Sequence, residues 1–299
     1  METTNNNILI YETNSECEKI TLTAHQEYFS SISIPDTGEE LLRKGKTGKL
    51  SHIFPEKGEH QVAVRFKDDL TNLQECFMDC YNLQSIPSGL FDKCTKVKAF
   101  NFCFHRTGIK EIPEKLFARC RKVESFRYCF SFCKNLKYIP VGLFDKCTKV
   151  EDFEGCFWYT NIKKIPQKLF VSCTEVKDFS ICFSYCSNLE YIPEGLFDKC
   201  TKVKDFNRCF NSTGIKVIPK KLFTQCTKVR NFSLCFSYCD NLKHIPKKLF
   251  NKCTKVKDFS FCFYSTGIKE IPERLFEQCI EVEEFNCCFS GCKYLEDIR

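Results

Sequence analysis

A proline recurs along this chain at nearly constant spacing. From residue 86 onward it follows isoleucine eight times, and the intervals between these successive prolines alternate strictly between 26 and 27 residues. These prolines are Pro87, Pro113, Pro140, Pro166, Pro193, Pro219, Pro246 and Pro272. A repeat of about 20–29 residues with apolar positions at fixed offsets is typical of a solenoid, whose coils bury their apolar sides against one another. The sequence therefore predicts one coil for each repeat.

The repeats are of two kinds, which alternate as a 53-residue pair. The longer kind reads C-F-x-x-C-x-N-L-x-x-I-P, as from Cys182 to Pro193. The shorter kind reads C-F-x-x-T-G-I-K-x-I-P, as from Cys209 to Pro219, and has Asn161 in place of glycine in one copy. Since glycine and asparagine tolerate left-handed backbone, a left-handed turn is predicted at this glycine in each short repeat.

Phenylalanine marks the predicted core. The chain has 31 phenylalanines, and 25 of them lie in three columns: after cysteine in C-F, in L-F, and in V-x-x-F. We expect each column to form a ladder of buried rings. The stretch V-x-x-F-x-x-C-F, as in 203–210, lacks proline and favours strand residues. One short parallel strand per coil is predicted there, and a helical or 3₁₀ turn is predicted at L-F-x-x-C on the opposite side.

The N-terminal part of the chain, from Met1 to Asp69, does not carry the repeat. Residues 1–70 have a net charge of −4 and residues 71–299 have +11. Strand-like runs at 7–11, 19–23 and 61–66 predict a small β-rich cap over 1–69, followed by a solenoid of about 8.5 repeats over 70–299. The next Ile-Pro would fall at Ile298-Arg299. We therefore expect the solenoid to end in mid-repeat, without a cap at that end.

The 24 cysteines follow the repeat, because 22 of them occupy three of its positions. Free cysteine behaves as a small buried hydrophobe, so reduced packing residues are predicted. Disulfides between adjacent coils are the alternative, since a coil spacing of about 4.8 Å lies within the Cα separation of about 4.4–6.8 Å that a bridge needs. No C-x-x-C pair with the spacing of a structural zinc site occurs, and C-F-x-x-C lacks the companion ligands of such a site. No metal and no cofactor are therefore predicted.

The pattern V-x-x-F-x-x-C-F followed by L-x-x-I-P-x-x-L-F-x-x-C resembles the BspA-like leucine-rich repeat proteins of bacterial surfaces, over roughly residues 70–299. The resemblance implies a curved right-handed solenoid that serves adhesion or recognition without catalysis, at the cell surface or secreted. The N-terminal METTNNNILIYETNSECEK lacks the basic start and apolar stretch of a signal peptide. No run of about 18 apolar residues is present that could span a membrane.

The sequence does not predict an enzyme. A catalytic histidine needs a nucleophile and an orienting partner, and the spacing of the histidines supplies neither. The aspartate of the repeated Phe-Asp-Lys is interpreted as a turn or surface residue rather than as a general base. No glycine-rich phosphate loop is present. The histidines are His25, His52, His60, His105 and His244.

One column of the repeat is rich in lysine. Such a ridge could attract nucleic acid or an acidic polymer, or it could be a solvated edge that blocks unwanted strand pairing. Because Glu175 and Glu281 interrupt the column, nucleic acid is not favoured as a partner. The lysines of this column are Lys96, Lys122, Lys149, Lys202, Lys228 and Lys255.

Binding residues are expected among the columns that packing leaves free. The residues just before and just after each Cys-Phe vary, and many are aromatic side chains that give large rigid contact areas. The alternative is that these rings only shield the edge of the sheet. The candidate ligand-binding residues are Phe102, Tyr128, Phe132, Trp158, Tyr159, Ile181, Tyr185, Arg208, Leu234, Tyr238, Phe261 and Tyr264.

Two functions of different classes follow from these features. The first is a non-catalytic recognition or adhesion module, whose variable aromatic positions bind a protein or a glycan. The alternative is a structural component that self-associates by stacking through its uncapped C-terminal end.

Overall fold

The computed structural model describes residues 7–42 and 45–295. Its N-terminal part is built from strands that form two antiparallel sheets, one of five strands in the order β4-β3-β6-β1-β7 and one of two strands, β2-β5. The strands are β1 (Asn7–Thr13), β2 (Glu18–Thr23), β3 (Phe29–Ile34), β4 (Glu39–Glu40), β5 (Leu50–Phe54), β6 (Gly58–Phe66) and β7 (Leu83–Ser85). A 3₁₀ turn over Gln26–Tyr28 precedes β3. The strands predicted at 7–11, 19–23 and 61–66 are confirmed as β1, β2 and β6.

The N-terminal sheet is joined directly to the first repeat. Strand β7 belongs to that repeat and pairs antiparallel with β1, with Tyr11 opposite Leu83. The Thr23 hydroxyl donates a hydrogen bond to the Cys76 carbonyl at 2.6 Å. The Phe66 ring lies 5.7 Å from the Phe91 ring. Because of these contacts, the N-terminal part and the repeats share one continuous apolar core.

Parallel pairing in the repeats is limited to isolated bridges. Two of them join Tyr138 to Lys164 and Tyr191 to Val217, and all the others involve a single residue in each coil. This residue lies directly before the phenylalanine of V-x-x-F, or before Leu73 in coil 1, and it bridges to the equivalent residue of the next coil. The bridge residues begin coils 1 to 9 and are Asn72, Ala99, Ser125, Asp152, Asp178, Asp205, Asn231, Asp258 and Glu284. The predicted strand over V-x-x-F-x-x-C-F is therefore wrong in length, because hydrogen-bonded turns begin at the phenylalanine. The L-F-x-x-C stretch forms turns, such as that closed by Cys94 N–H and Phe91 O at 2.9 Å.

Alternating backbone conformation explains how turns can still connect the coils. In coil 2 the Phe102 N–H donates to Arg127 O of coil 3 at 2.8 Å, whereas the Cys103 N–H donates back to Phe100 O at 3.1 Å. Every second N–H of this stretch thus points along the solenoid axis. The geometry requires left-handed residues four positions apart, such as Phe102 at φ 56° and Arg106 at φ 56°. Left-handed backbone costs a non-glycine residue about 1–2 kcal/mol, which the bonds between coils offset.

The three phenylalanine columns are ladders of stacked rings, as predicted. Phe206 is fully buried, and its ring stacks on Phe179 at 5.8 Å and on Phe232 at 5.6 Å. Neighbouring rings of the C-F column lie 5.4–5.7 Å apart. Those of the L-F column lie 5.7–6.3 Å apart. The wider spacing places the L-F side on the outside of the curve.

The alternation of long and short repeats corresponds to a specific side-chain contact. The Thr107 hydroxyl of coil 2 lies 3.2 Å from the Cys133 sulfur of coil 3, and both side chains donate to the Phe104 carbonyl. The same contact joins Thr160 to Cys186 at 3.3 Å. It recurs for Thr213 with Cys239 and for Thr266 with Cys292. Each short coil therefore supplies a threonine that fits the cysteine of the long coil after it.

The glycines of the short repeats are not left-handed, so that prediction is wrong. Gly108, Gly214 and Gly267 have φ outside the left-handed region. A Cβ on Gly108 would lie 2.3 Å from the carbonyl oxygen of Tyr81 in the preceding coil, and Gly214 and Gly267 are equally confined. In these three copies the backbones of adjacent coils approach too closely for a side chain, whereas in coil 4 Asn161 occupies the position and donates to the Lys134 carbonyl of the preceding coil.

The cysteines of the described residues are free thiols. Twenty-one are buried, Cys17 and Cys287 are exposed, and Cys292 is half-buried. Burial raises the pKa of the Cys147 and Cys200 thiols to about 12, so these thiols remain protonated. Nowhere in 7–42 or 45–295 does a helix reach the length and apolarity that crossing a membrane requires.

Candidate binding surface

Most of the predicted binding residues lie at the left-handed positions of the coils. Ten of the twelve candidates have φ between 52° and 59°, and the two others, Trp158 and Tyr264, directly follow a Cys-Phe pair. None of the twelve is buried, whereas the phenylalanine beside each of them in the same coil is. The turn that directs N–H groups along the axis therefore also directs these side chains away from the core.

Six of the candidates form one connected group of rings, which we call the aromatic surface. It consists of Phe102, Tyr128, Phe132, Trp158, Tyr159 and Tyr185 and spans coils 2 to 5. Phe102 stacks on Tyr128 at 5.0 Å, and Phe132 stacks on Tyr159 at 4.9 Å. Trp158 meets the Phe132 ring edge to face at 4.7 Å and the Tyr128 ring at 5.7 Å.

Tyr128 is held in this group by a glycine. Its ring lies over Gly155 of the next coil, where an added Cβ would be 2.3 Å from Cε1 of the ring. Its hydroxyl donates to the Glu154 carboxylate at 2.9 Å. Burial, followed by this hydrogen bond, raises the pKa of Tyr128 to about 12. The ring is therefore fixed at both ends.

Cations border the aromatic surface, and the sequence did not single them out as candidates. Arg106 lies over the Phe132 ring at 5.4 Å, and Lys134 lies over the Tyr159 ring at 5.0 Å. Arg127 pairs with Glu154 at 2.8 Å. His105 lies between the Phe102 and Phe132 rings, 5.6 Å from each, and burial lowers its pKa. In the sequence, only the positions of these cations next to the aromatic columns of the repeat could have indicated them.

A shallow cleft opens next to this surface. Its volume is about 490 Å³ at the equivalent place in coils 5 to 7 and about 440 Å³ in coils 1 to 3. In coils 1 to 3 it is lined by Arg106, Phe132 and Lys134 together with Thr107 and Gly108. Each cleft lies at a short repeat, which is one residue shorter than its neighbours and leaves a recess between them.

The remaining candidates do not join the aromatic surface. Tyr238 contacts Tyr264 edge to face at 5.4 Å, and Tyr264 contacts Phe261 at 5.5 Å, so these three form a smaller group in coils 7 and 8. The other three candidates lie in the left-handed column that precedes Cys-Phe. They are Ile181, Arg208 and Leu234.

A column of carboxylates also follows the bridge residues. Oxygen atoms of Asp152, Glu154 and Asp178 lie within 4.8 Å of one another. Each is engaged by the protein: Asp152 accepts from the Glu154 N–H at 2.7 Å, and Asp178 accepts from the Ser180 N–H at 2.7 Å. Burial raises the pKa of Asp152 and of Glu154. These turn hydrogen bonds account for the cluster.

The predicted lysine column is partly paired. Lys202 bonds to Glu175 at 2.5 Å, and Lys96 bonds to Asp69 at 2.5 Å. In this column the acid that interrupts the row neutralises the lysine of the next coil. Pairing of this kind indicates a solvated edge at these coils.

The register of the coils agrees with a known sequence family. A family model described as "BspA type Leucine rich repeat region (6 copies)" matches residues 66–204 and 163–297. The chain belongs to the BspA-type leucine-rich repeat family. This membership confirms the resemblance found in the sequence and indicates adhesion or protein binding in general terms. No curated protein matches the sequence.

Two solved structures are similar to the chain at low identity. One is the Toll–Spätzle complex of Drosophila, at 17% identity and a TM-score of 0.36, over 71% of this chain and 34% of that chain. The other is an internalin from Listeria monocytogenes, at 12% identity and a TM-score of 0.28, over 68% and 64%. The chain thus spans less than two thirds of the length of either structure.

Proposed function

We propose that the protein is a non-catalytic recognition module that binds a protein partner through the aromatic surface. The observation that carries the proposal is the continuity of ring contacts from Phe102 to Tyr185 across four coils, on side chains that are half-buried or exposed. Contiguous exposed apolar patches are uncommon on soluble monomers and mark interaction sites. Membership in a family of binding repeats supports the same function.

The composition of the surface is that of a binding hot spot. Tryptophan, tyrosine and arginine dominate the binding energy of protein interfaces, and Trp158, Tyr159 and Arg106 lie together here. The rings also hold one another in place, so that little side-chain entropy is lost when a partner binds. The bordering cations fit acidic groups at the rim of such a partner.

Ring orientation favours a protein over a glycan. The faces of Phe102 and Tyr128 cover each other, as do those of Phe132 and Tyr159. Edges, rather than faces, are therefore presented between these coils, and a sugar ring needs a free aromatic face to stack on. Protein side chains can pack against edges, because edge-to-face contacts are favourable.

The proposal is tested by comparing three baits in affinity capture, followed by direct binding measurements on the captured partner. The baits are the native chain, the variant Trp158→Ala with Tyr159→Ala, and the variant Tyr138→Ala with Tyr191→Ala. Tyr138 and Tyr191 are 59% and 54% exposed but lie next to Ile-Pro, away from the aromatic surface. We expect the Trp158/Tyr159 variant to lose about 2 kcal/mol of binding energy or more, and the control to lose little.

Equal losses in both variants would contradict the proposal. A partner that is bound equally by all three baits would place the recognition site elsewhere on the solenoid. A screen of the same three proteins on a glycan array covers the other partner class. If a glycan signal is lost in the Trp158/Tyr159 variant alone, the partner of the aromatic surface is a glycan rather than a protein.

We further propose that residues 1–69 act as the N-terminal cap of a solenoid over 70–299 with the 53-residue paired period. In its support, the rings of Phe29 and Phe66 lie over Phe77 of coil 1 at 5.9 and 6.5 Å, so Phe77 is fully buried although no coil precedes it. A fragment beginning at Leu70 should then expose this face and aggregate, as solenoids without caps do.

A second candidate function is assembly through the last coil. Phe285 is 42% exposed, whereas its equivalents in coils 2 to 8 are fully buried. A further coil, or a second copy of the chain, would cover it. The variant Phe285→Asp tests this: light scattering should show self-association of the native chain that depends on concentration and is lost in the variant. A native chain that is monomeric at all concentrations would exclude assembly.

A further inference from the structure

Positive charge is concentrated in one part of the solenoid. Residues 216–257 hold eleven lysines and arginines but only one acidic residue, Asp240, so their net charge is +10. The whole chain has a net charge of +7, and the rest of it therefore carries −3. The segment comprises the second half of coil 6 and all of coil 7. Its positive charge is therefore concentrated on a small part of the solenoid surface.

The cations occupy equivalent positions in these two coils. Three lysines of coil 6 each have a counterpart at the same repeat position of coil 7: Lys220 with Lys247, Lys221 with Lys248 and Lys228 with Lys255. The Phe223 and Phe250 rings, which directly follow Lys-Lys-Leu in each coil, stack at 6.0 Å. Because this distance is the local coil spacing, the equivalent lysines lie side by side. These six residues, all exposed, form what we call the basic surface.

The charge of the basic surface is not compensated. Elsewhere, cations pair with acids of the neighbouring coil, as Lys177 does with Glu151 at 2.5 Å. At the borders of the segment, Lys216 pairs with Glu190 and Lys257 pairs with Glu283. Over 7–42 and 45–295, none of the six lysines of the basic surface makes an ion pair with an acid.

This arrangement costs the fold stability, because like charges on adjacent coils repel one another. The fold does not require lysine there. The coils before and after carry glutamate at the equivalents of Lys220 and Lys247, namely Glu194 and Glu273. Neither packing nor an ion pair among the described residues explains lysine at these positions.

We propose that the basic surface binds an acidic polysaccharide, whose sulfate or carboxylate groups pair with the lysines of coils 6 and 7. A linear polyanion matches three pairs of cations, each pair of which joins coil 6 to coil 7. Lysine meets such groups as a point charge and gives no base-specific recognition. Single-stranded nucleic acid is normally held by aromatic rings that stack on its bases. The basic surface itself has no such ring, because the Phe223 and Phe250 rings beside its lysines are buried, and the exposed rings of 216–257, Tyr238 and His244, lie at other repeat positions. The polysaccharide is therefore favoured over nucleic acid.

The test is binding of a size-defined heparin oligosaccharide, measured by calorimetry at several salt concentrations. The test variant is Lys220→Glu, Lys221→Glu, Lys247→Glu and Lys248→Glu. The control variant makes the same change of charge at Lys115, Lys163, Lys164 and Lys168, four exposed lysines of coils 2 and 4. We expect binding by the native chain to weaken steeply with salt, because bound counterions are released. The test variant should bind about a hundredfold more weakly at low salt, while the control changes affinity by about threefold or less.

Two results would overturn the proposal: equal losses in the test and control variants, or no measurable binding by the native chain. Single-stranded DNA and anionic lipid vesicles of matched charge serve as competing probes, and tighter binding of either one would also overturn it. Thermal unfolding of each variant confirms that it folds. If the glutamate variant fails to fold, the four corresponding glutamine substitutions remove the charge without adding repulsion, and a smaller loss of affinity is expected.

Discussion

The Tyr128 ring lies against the backbone of Gly155, one coil further along, in a space that a single methyl group would close. Gly155 is also left-handed, at φ 59°. Every other coil has a side chain at this position, from Glu75 to Cys287. Its absence in coil 4 allows Tyr128 to lie across the coil boundary and reach Glu154 and Trp158.

We predict that Gly155→Ala disrupts the aromatic surface. The left-handed backbone alone costs alanine about 1–2 kcal/mol of unfolding free energy, and the Cβ must also displace Tyr128. Trp158 is the only tryptophan of the chain, so its fluorescence should change. The control is Gly38→Ala, at φ 68° with no atom within 4 Å of the added Cβ. Unchanged Trp158 emission in Gly155→Ala would show that Tyr128 does not depend on the glycine.

Core and surface rings should differ in their effect on stability. Phe206→Ala removes a fully buried ring that contacts four others, and we expect it to lower the unfolding free energy by about 3–5 kcal/mol. Trp158→Ala with Tyr159→Ala should cost about 1.5 kcal/mol or less, since these rings gain mainly from surface contacts with the neighbouring rings Phe132 and Tyr185. Urea unfolding measures both. A larger loss in the double variant would identify its rings as core residues.

Thiol reactivity should separate buried from exposed cysteines. In the native protein, Cys17 and Cys287 should be modified rapidly by a maleimide, because they are exposed. The buried thiols should react only on unfolding, because the packed core keeps the maleimide away from them. Mass spectrometry of the denatured, unreduced chain should then count 24 modified cysteines. A count of half or fewer would show that adjacent coils are joined by disulfides.

The carboxylate column predicts a dependence of stability on pH. Burial raises the pKa of Asp152 above the ordinary 3.8, so the folded state binds its proton more tightly than the unfolded state. The resulting stabilisation is present below pH 3.8 and is lost as pH rises through the raised value. Asp152→Asn should therefore raise the unfolding temperature at pH 7 by about 2 °C.

The gain from Asp152→Asn should disappear below pH 3.8, where the native aspartic acid is already neutral. Asparagine can keep the turn hydrogen bond, because Asn231 in the same column accepts one from the Ser233 N–H at 2.8 Å. Asp92→Asn is the control, since Asp92 is exposed and lies outside the column. A loss of stability at pH 7 would indicate that the charge of Asp152 is needed.

The period of the sequence was sufficient to predict the ladders, because a phenylalanine such as Phe206 can recur at fixed spacing only if each coil buries it in the same place. The candidate residues could be separated from the core for the same reason. Their contacts could not be predicted: Tyr128 reaches Trp158 only through a left-handed turn and a glycine in another coil. The role of Gly108 could not be predicted either, because the carbonyl that leaves no room for a Cβ belongs to Tyr81, in the preceding coil.

The contact between Thr213 and Cys239 has a consequence for how the length of this solenoid can change. Each short coil matches the long coil after it through threonine and cysteine, and the long coil before it through a confined glycine or, in coil 4, through the Asn161 amide that donates to Lys134 O. Adding or deleting one coil would place two coils of the same kind together, and a thiol or a hydroxyl would lose its counterpart. Adding or deleting one short coil together with one long coil preserves every junction. Such a solenoid can therefore be lengthened or shortened without loss of these contacts only by whole pairs of coils. A gene duplication that keeps the contacts must copy two coils at a time.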